Sequence, residues 1–154
     1  MATSSIPAAI DYLVTAITAL PECAAPVVVS DGWPDRRATT GVGIGVTTDD
    51  TRTDDQPIHA ALGGQMEREN YLIPCTVWSR AAVAPAMKTA RDSAFTIFNA
   101  VVTKIRADRT LGGALHSGAA IATDVQIRQD RTSDAAGDGR ICEITFNVQC
   151  ENRF

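Results

Sequence analysis

The chain has 154 residues, the size of one domain, and a chain of this length buries roughly two-thirds of the surface of its unfolded form. Hydrophobic residues make up 45% and charged residues 21%, which excludes a wholly disordered, collagen-like or coiled-coil protein. The formal net charge of -4 argues against a protein that grips nucleic acid through its phosphates. No apolar run approaches the roughly 20 residues of a membrane-spanning helix. The first basic residue is Arg36, so we expect no secretory signal.

The N-terminal segment is predicted to form an amphipathic helix. Its apolar residues recur at helical spacing, namely Ile6, Ile10, Leu13, Val14, Ile17 and Leu20. Ser4 or Ser5 is expected to cap the helix, and Pro7 suits its first turn. Pro21 is expected to end it. One side of this helix is therefore predicted to lie on a core or on a partner.

Several strands are predicted between residues 27 and 79. A β-branched run at 27–29 predicts a short strand. The next strand, at 41–46, alternates glycine with Val or Ile, and such a bare face lets another backbone approach closely. The polar segment 49–55 is expected to be a solvated loop. A longer strand is predicted over 66–79, where Pro74 indicates an edge position or a bulge.

A second helix is predicted from about Pro85 to Ala107, and two strands follow it. The first of these strands is expected to carry Ile121, Thr123, Val125 and Ile127 on one half-buried face. The second is expected to bury Cys142, Ile144, Phe146, Val148 and Cys150. The polar connection between them, at 130–139, is too long for a tight turn and predicts a mobile tip.

This order of elements predicts an α+β fold. We expect a mostly antiparallel sheet, two main helices packed on one of its faces, and a C-terminal β-hairpin. The whole chain, residues 1–154, is expected to form a single domain with mobile loops near 49–57 and 130–139.

No motif in the sequence predicts a catalytic, cofactor-binding or metal-binding residue. The glycines at 41, 43 and 45 lack the spacing of a nucleotide-binding loop. His59 and His116 accompany no nucleophile in a recognised motif. The acidic pairs at 49–50 and 54–55 lack the central Gly and terminal Glu of a calcium-binding loop. A metal site built from the two histidines and loop aspartates stays an open alternative.

The four cysteines are expected to be small buried residues with reduced thiols. They are Cys23, Cys75, Cys142 and Cys150, and no two of them form a C-x-x-C pair.

The order of local features resembles a known family of phage proteins. An N-terminal helix precedes a Gly-Trp-Pro turn at 32–34, the strand Glu69–Cys75 and the long helix. Leu111-Gly112-Gly113, Gln126 and the strand Phe146–Cys150 follow. In this order the chain is similar to the tail terminator proteins, also called tail completion or minor tail proteins, of long-tailed bacteriophages.

The resemblance implies a structural role without enzymatic activity or cofactor. Such proteins are α+β subunits that form a hexameric ring on the head-proximal end of the tail tube. The ring ends tube polymerisation and presents a surface for the head. The implied partners are further copies of the chain, the major tail tube protein and the head-tail connector or stopper protein. DNA is expected to pass through the lumen without specific binding, and no membrane is involved. The implied location is the virion tail, and the host cytoplasm during assembly.

The candidate interface residues lie in a turn and in two polar segments. They are Trp33, Asp49, Asp50, Arg52, Asp54, Asp55, Arg131, Asp134 and Asp138. Two other functions stay open. One is another neck or head-tail joining protein of a phage. The second is a small α+β ligand-binding domain or enzyme that uses the glycine-rich strand or the two histidines.

Overall fold

The computed structural model describes residues 4–32, 38–46, 60–62, 68–82, 85–134 and 137–154. Its elements in chain order are helix α1 (Ile6–Thr18), a 3-10 turn (Pro21–Cys23), strands β1 (Val28–Asp31), β2 (Thr40–Ile44), β3 (Ala60–Leu62) and β4 (Arg68–Ala81), helix α2 (Ala86–Ala107), and strands β5 (Ala119–Asp134) and β6 (Gly137–Arg153).

The strands form one sheet in the order β1-β2-β4-β6-β5, and β3 pairs with β4 beyond the end of β2. Only β1 and β2 are parallel among the described pairs, and the other four pairings are antiparallel. Helix α1 contacts β1 and β2, whereas α2 contacts β4, β6 and β5. The predicted α+β fold with a C-terminal strand pair is confirmed.

The core lies between the two helices and one face of the sheet, which we call the helix-covered face. Strand β6 turns Cys142, Ile144, Phe146, Val148 and Cys150 to this face, and all five are buried. The alternation predicted for the last strand is therefore confirmed. From the helices, the core takes Ala9, Leu13, Ile17, Ala90, Ala94, Ile97, Val101 and Ile105.

All four cysteines are buried with free thiols, as predicted. Burial raises the pKa of Cys23 to about 11 and the pKa values of Cys75 and Cys150 to about 12. These side chains therefore serve as small apolar residues of the core.

Gly41 lets a large side chain approach the backbone of β2. A Cβ atom at this position would lie 2.5 Å from Cη2 of Trp78 and 2.6 Å from the carbonyl oxygen of Val28. The Trp78 indole is also fixed, because its Nε1–H donates to the carbonyl of Ala38 at 3.1 Å. The bare face is closely approached at this glycine, but by the Trp78 side chain and, apart from the paired strand β1, not by another backbone as the sequence predicts.

We expect Gly41→Ala to lower the free energy of unfolding by about 1–3 kcal/mol, since the added methyl group must displace the Trp78 ring or the β1 backbone. Urea denaturation followed by far-ultraviolet circular dichroism measures the change. An unchanged unfolding midpoint would show that the space beside Gly41 is not closed.

Pro74 lies in a central strand, not at the edge of the sheet as one reading of the sequence predicts. Strand β2 pairs with β4 residues 75–79, and β3 pairs with residues 69–71. Pro74 falls between these two pairings, and its carbonyl accepts the N–H of Gly45 at 2.7 Å. In an antiparallel strand the N and C=O of one residue point to the same side. The missing N–H of Pro74 therefore faces the gap between β2 and β3, where it costs no ladder hydrogen bond.

The side chains of strand β5 do not alternate regularly between the two faces of the sheet along its whole length. Its register shifts between Thr123 and Gln126, and Asp124 adopts a positive φ of 53°. Ile121 is paired with Gln149, whereas Ile127 is paired with the core residue Ile144. The bulge thus reverses the alternation. The prediction of one half-buried face through Ile121, Thr123, Val125 and Ile127 is wrong.

The segment 130–139 is mostly strand and not a long connection. Strand β5 continues to Asp134, β6 begins at Gly137, and Arg131 is paired with Arg140. The expected loop is wrong because β5 and β6 stay paired beyond the core. In that part of the strands the sequence has no apolar alternation from which a strand could be predicted. The mobility of this segment stays a prediction. The other predicted loop, 49–57, lies outside the described residues.

Candidate interface

Six of the nine predicted interface residues lie outside the described part of the chain. These are Trp33, Asp49, Asp50, Arg52, Asp54 and Asp55. The other three lie on the β5–β6 hairpin, where Asp134 is the last residue of β5. The structure brings Arg131 and Asp138 together as an exposed ion pair. Exposed ion pairs of this kind contribute little to stability, so both side chains are available to a partner.

Strand β5 is an edge of the sheet, and it carries three large apolar side chains on its surface. Ile121 is 49% exposed, Val125 is 46% exposed and Ile127 is 51% exposed. We call these three residues the β5 apolar row; Ile121 and Ile127 lie on opposite faces of the strand, so the row follows the edge of the sheet and not one of its faces. Within the described residues β5 pairs with β6 alone, so one side of its backbone has no strand partner. Exposed apolar residues along an unpaired strand edge are typical of a surface that another protein covers.

Polar contacts hold β5 in place next to Ile127. Arg128 contacts Asp130 at 2.9 Å and Glu143 at 3.8 Å. The hydrogen bond from Arg128 lowers the pKa of Asp130. From helix α2, Arg91 donates to the side chain of Gln129 at 3.2 Å. The edge strand is therefore tied to both β6 and α2 while its apolar row stays exposed.

A buried carboxylate connects the N-terminus of α1 to strand β4. Glu69 is 0% exposed, and its Oε2 accepts hydrogen bonds from the Ser5 N–H at 2.8 Å and the Ser5 hydroxyl at 2.7 Å. The Ser4 hydroxyl donates to Oε1, and the Tyr71 hydroxyl lies 2.9 Å from that of Ser5. The Ser5 hydroxyl thus donates to Glu69 and does not cap the helix. Ser4 Oγ accepts the N–H of Ile6 at 3.2 Å.

The electrostatics of Glu69 indicate that this carboxylate anchors the N-terminus of α1 to the sheet. Burial acts to raise the pKa of this carboxyl group, but the hydrogen bonds from Ser4 and Ser5 outweigh it and hold the pKa below its usual value. A carboxylate at the N-terminus of a helix is also favoured by the helix dipole. The contacts of Glu69 therefore stabilise the seating of α1 on the sheet.

The described residues offer no constellation for metal binding. They contain no group of three or more His, Cys, Asp or Glu side chains that could hold an ion. His116 is exposed, and its backbone N–H donates to Asn152 Oδ1 at 2.8 Å, while His59 lies outside this part of the chain. Within the same residues, no helix is long and apolar enough to cross a bilayer.

No family model and no curated protein matches the chain. Among solved structures, it is similar to a chain described as "Virion of native gene transfer agent (GTA) particle". The TM-score is 0.39 and the identity 16%, and the match covers 94% of this chain and 93% of that chain. At this TM-score and identity the likeness carries no conclusion about function.

Proposed function

We propose that the chain is a structural virion protein of a long-tailed phage. In this proposal it forms a hexameric ring that caps the head-proximal end of the tail tube, ends tube polymerisation and provides the surface for head-tail joining. The observation that carries the proposal is the β5 apolar row, which leaves large apolar side chains exposed on an edge strand. A subunit that becomes buried in an assembly is expected to expose such a row when alone.

The choice of a hexameric ring at the end of the tail tube is based on the sequence resemblance. The order of helices and strands in the structure follows the order that the resemblance implies, with α2 before a C-terminal hairpin. The proposed partners are further copies of the chain, the major tail tube protein and the head-tail connector or stopper protein. The proposed location is the tail of the virion, and the host cytoplasm during assembly.

The charge of the subunit fits a ring through which DNA passes. A basic lumen would bind the phosphates of the genome through counterion release and would hold the DNA. Six copies of a chain with net charge -4 would instead give an acidic ring that repels DNA over about 8–10 Å at physiological salt. The proposed ring is therefore a passive conduit.

Immunogold electron microscopy of phage particles that carry a tagged chain tests the proposal. We expect label at the head-tail junction, and tails of abnormal length in a phage that lacks the gene. Label at the junction together with normal tail length would favour the alternative, another neck or head-tail joining protein. Absence of the chain from purified particles would contradict a virion role.

The acidic segment supplies a second test, because it is proposed to face the lumen or the tail tube. We expect replacement of Asp49, Asp50, Asp54 and Asp55 by Asn to leave the fold intact, because the sequence predicts a solvated loop here and carboxylates of such a loop contribute little to stability. Tail joining or DNA ejection is expected to be impaired. The measurements are phage titre, tail length and ejection, with thermal unfolding of the purified variant as the control. Normal values in all three assays would remove this segment from the mechanism.

A further inference from the structure

The register of the sheet determines which backbone groups of β5 point away from β6. The Ala120 N–H donates to the carbonyl of Arg109 at 2.8 Å, so the backbone of Ala120 points outward from the sheet. In an antiparallel pair the N–H and C=O of one residue point to the same side, and this side alternates along the strand. Ala122 therefore points outward too, while its partner Val148 points to β4.

The same register applies beyond the bulge. Strand β6 pairs with β4 without interruption, so Ile144 and Cys142, like Val148, direct their backbone groups to β4. Their partners in β5 are Ile127 and Gln129. The backbone groups of these two residues therefore point outward from the sheet as well.

The chain itself occupies the backbone at both ends of this outer edge. At the start of β5, the Arg109 carbonyl accepts the N–H of Ala120. Towards the other end, the N–H of Arg131 also points outward, and it donates to the Asp130 carboxylate at 2.7 Å. An edge N–H that is bonded within its own chain no longer offers a site to a further strand.

The middle of the outer edge is open. Within the described residues, the outward N–H groups of Ala122, Ile127 and Gln129 have no acceptor. We call residues 122–129 the open edge, and it coincides with the β5 apolar row, in which Ile121 and Ile127 lie on opposite faces. A partner lying against one face of the sheet would cover only part of this row. An added strand would cover both sides of it, because its own side chains alternate between the two faces.

We propose that an extended segment of another protein adds to the sheet as a strand along the open edge. Its backbone hydrogen-bonds to the outward groups of β5, and its side chains cover the β5 apolar row from both faces. The segment needs about eight residues at roughly 3.4 Å per residue. Two of its apolar residues stand an odd number of positions apart, since Ile121 and Ile127 lie on opposite faces. The inference rests on the proposed function only in taking the segment from another virion protein.

A second copy of the chain fits the open edge less well. The described strand at the other edge of the sheet is β1, whose 4 residues (Val28–Asp31) are too few to cover it. Two β5 strands related by a two-fold axis would cover both rows only if the axis passed between Ile121 and Ile127. The bulge lies there, and the positive φ of Asp124 would interrupt regular pairing in both strands at once. A segment of another protein is subject to neither restriction.

Fluorescence anisotropy with labelled peptides tests the contact. The peptides are about ten residues long and cover the sequences of the other proteins of purified phage particles. We expect the wild-type chain to bind peptides from one segment, whose apolar residues have the odd spacing. Ile121→Gln and Ile127→Gln are each expected to weaken this binding about tenfold or more, because each removes an apolar contact on its own face. A partner on one face would respond to only one of the two changes.

A proline substitution tests the backbone part of the contact. Ala122→Pro removes an outward N–H that no β6 group accepts, so the fold is expected to tolerate it. It also removes a donor to the added strand, and we expect binding to weaken at least about tenfold. Ala122→Ser keeps the N–H and is the matched control, expected to bind like the wild type. Circular dichroism checks the fold of each variant, and the two Ile variants decide the question if the proline variant does not fold.

Four outcomes would overturn the strand addition. These are the absence of any bound peptide, binding that only one Ile substitution weakens, equal binding by Ala122→Pro and Ala122→Ser, and self-association of the wild type that Ala122→Pro abolishes. The last outcome would assign the open edge to a second copy. Immunogold label at the head-tail junction without a bound peptide would remove the strand addition alone. A bound peptide without label in the particles would remove the tail function alone.

Discussion

The substitution Phe146→Ala is expected to lower the free energy of unfolding by about 3–5 kcal/mol. Phe146 is 2% exposed on the helix-covered face of β6. Its ring lies 5.2 Å from that of Phe98 in α2, with an interplanar angle of 72°. Removal of the ring leaves a cavity between sheet and helix, and it also removes an edge-to-face aromatic contact. Urea denaturation followed by circular dichroism measures the loss.

Phe154 provides the matched control for this experiment. It is 43% exposed at the end of the chain, so the same change, Phe154→Ala, is expected to cost less than about 0.5 kcal/mol. A loss below about 1 kcal/mol for Phe146→Ala would contradict the register of β6 against β4 and α2.

The substitution Glu69→Gln is expected to cost about 2–4 kcal/mol at neutral pH, because hydrogen bonds to a charged acceptor are stronger than those to an amide. The amide also directs an N–H group at donors from Ser4 or Ser5. Glu151→Gln is the matched control, since Glu151 is exposed on the neighbouring strand. We expect the control to change stability by less than about 0.5 kcal/mol.

The pH dependence of stability separates the charge of Glu69 from its shape. Its pKa in the folded chain is lowered, below the value of about 4.3 expected in the unfolded chain. The stabilisation from this group is therefore fully present above the unfolded pKa and is lost as the pH falls through the folded pKa. We expect wild type to lose more stability than Glu69→Gln between about pH 6 and pH 3. Parallel losses in the two proteins would show that Glu69 is not held as a carboxylate.

Periodicity in the sequence predicts the helices and the part of β6 that bury one face. Helix α1, helix α2 and strand β6 each place a regular apolar stripe on the core, so the spacing of apolar residues reports their structure directly. The predicted burial of Ile144, Phe146 and Val148 follows from strict alternation, and the structure confirms it.

The two faces of strand β5 could not be predicted in this way, because one residue reverses the alternation of side chains partway along the strand. Asp124 interrupts the ladder, and the side chains after it exchange faces. An Asp inside a β-branched run is the one sequence signal of this break, since Asp tolerates a positive φ and is depleted in strands. The exposure of Ile121 and Ile127 also depends on the edge position of β5, which local sequence does not encode.

The candidate interface and the Glu69 anchor depend on partners far apart in sequence. Ser5 and Glu69 are 64 residues apart, and nothing near either residue predicts that they meet. Glu69 alone looks like a solvent-facing residue of a strand. Of the predicted interface residues, Arg131 and Asp138 are brought together because β5 and β6 extend past the core. The roles of the residues outside the described ranges stay predictions.

The four buried thiols also make the folded chain inert toward alkylating reagents. A thiolate is the reactive form, and burial raises the pKa values of Cys75 and Cys150 to about 12, so neither side chain ionises at neutral pH. Reagent uptake by Cys75 or Cys150 therefore reports opening of the core. A single cysteine introduced on the exposed side of β5 would then accept a fluorophore selectively, without prior removal of the natural ones.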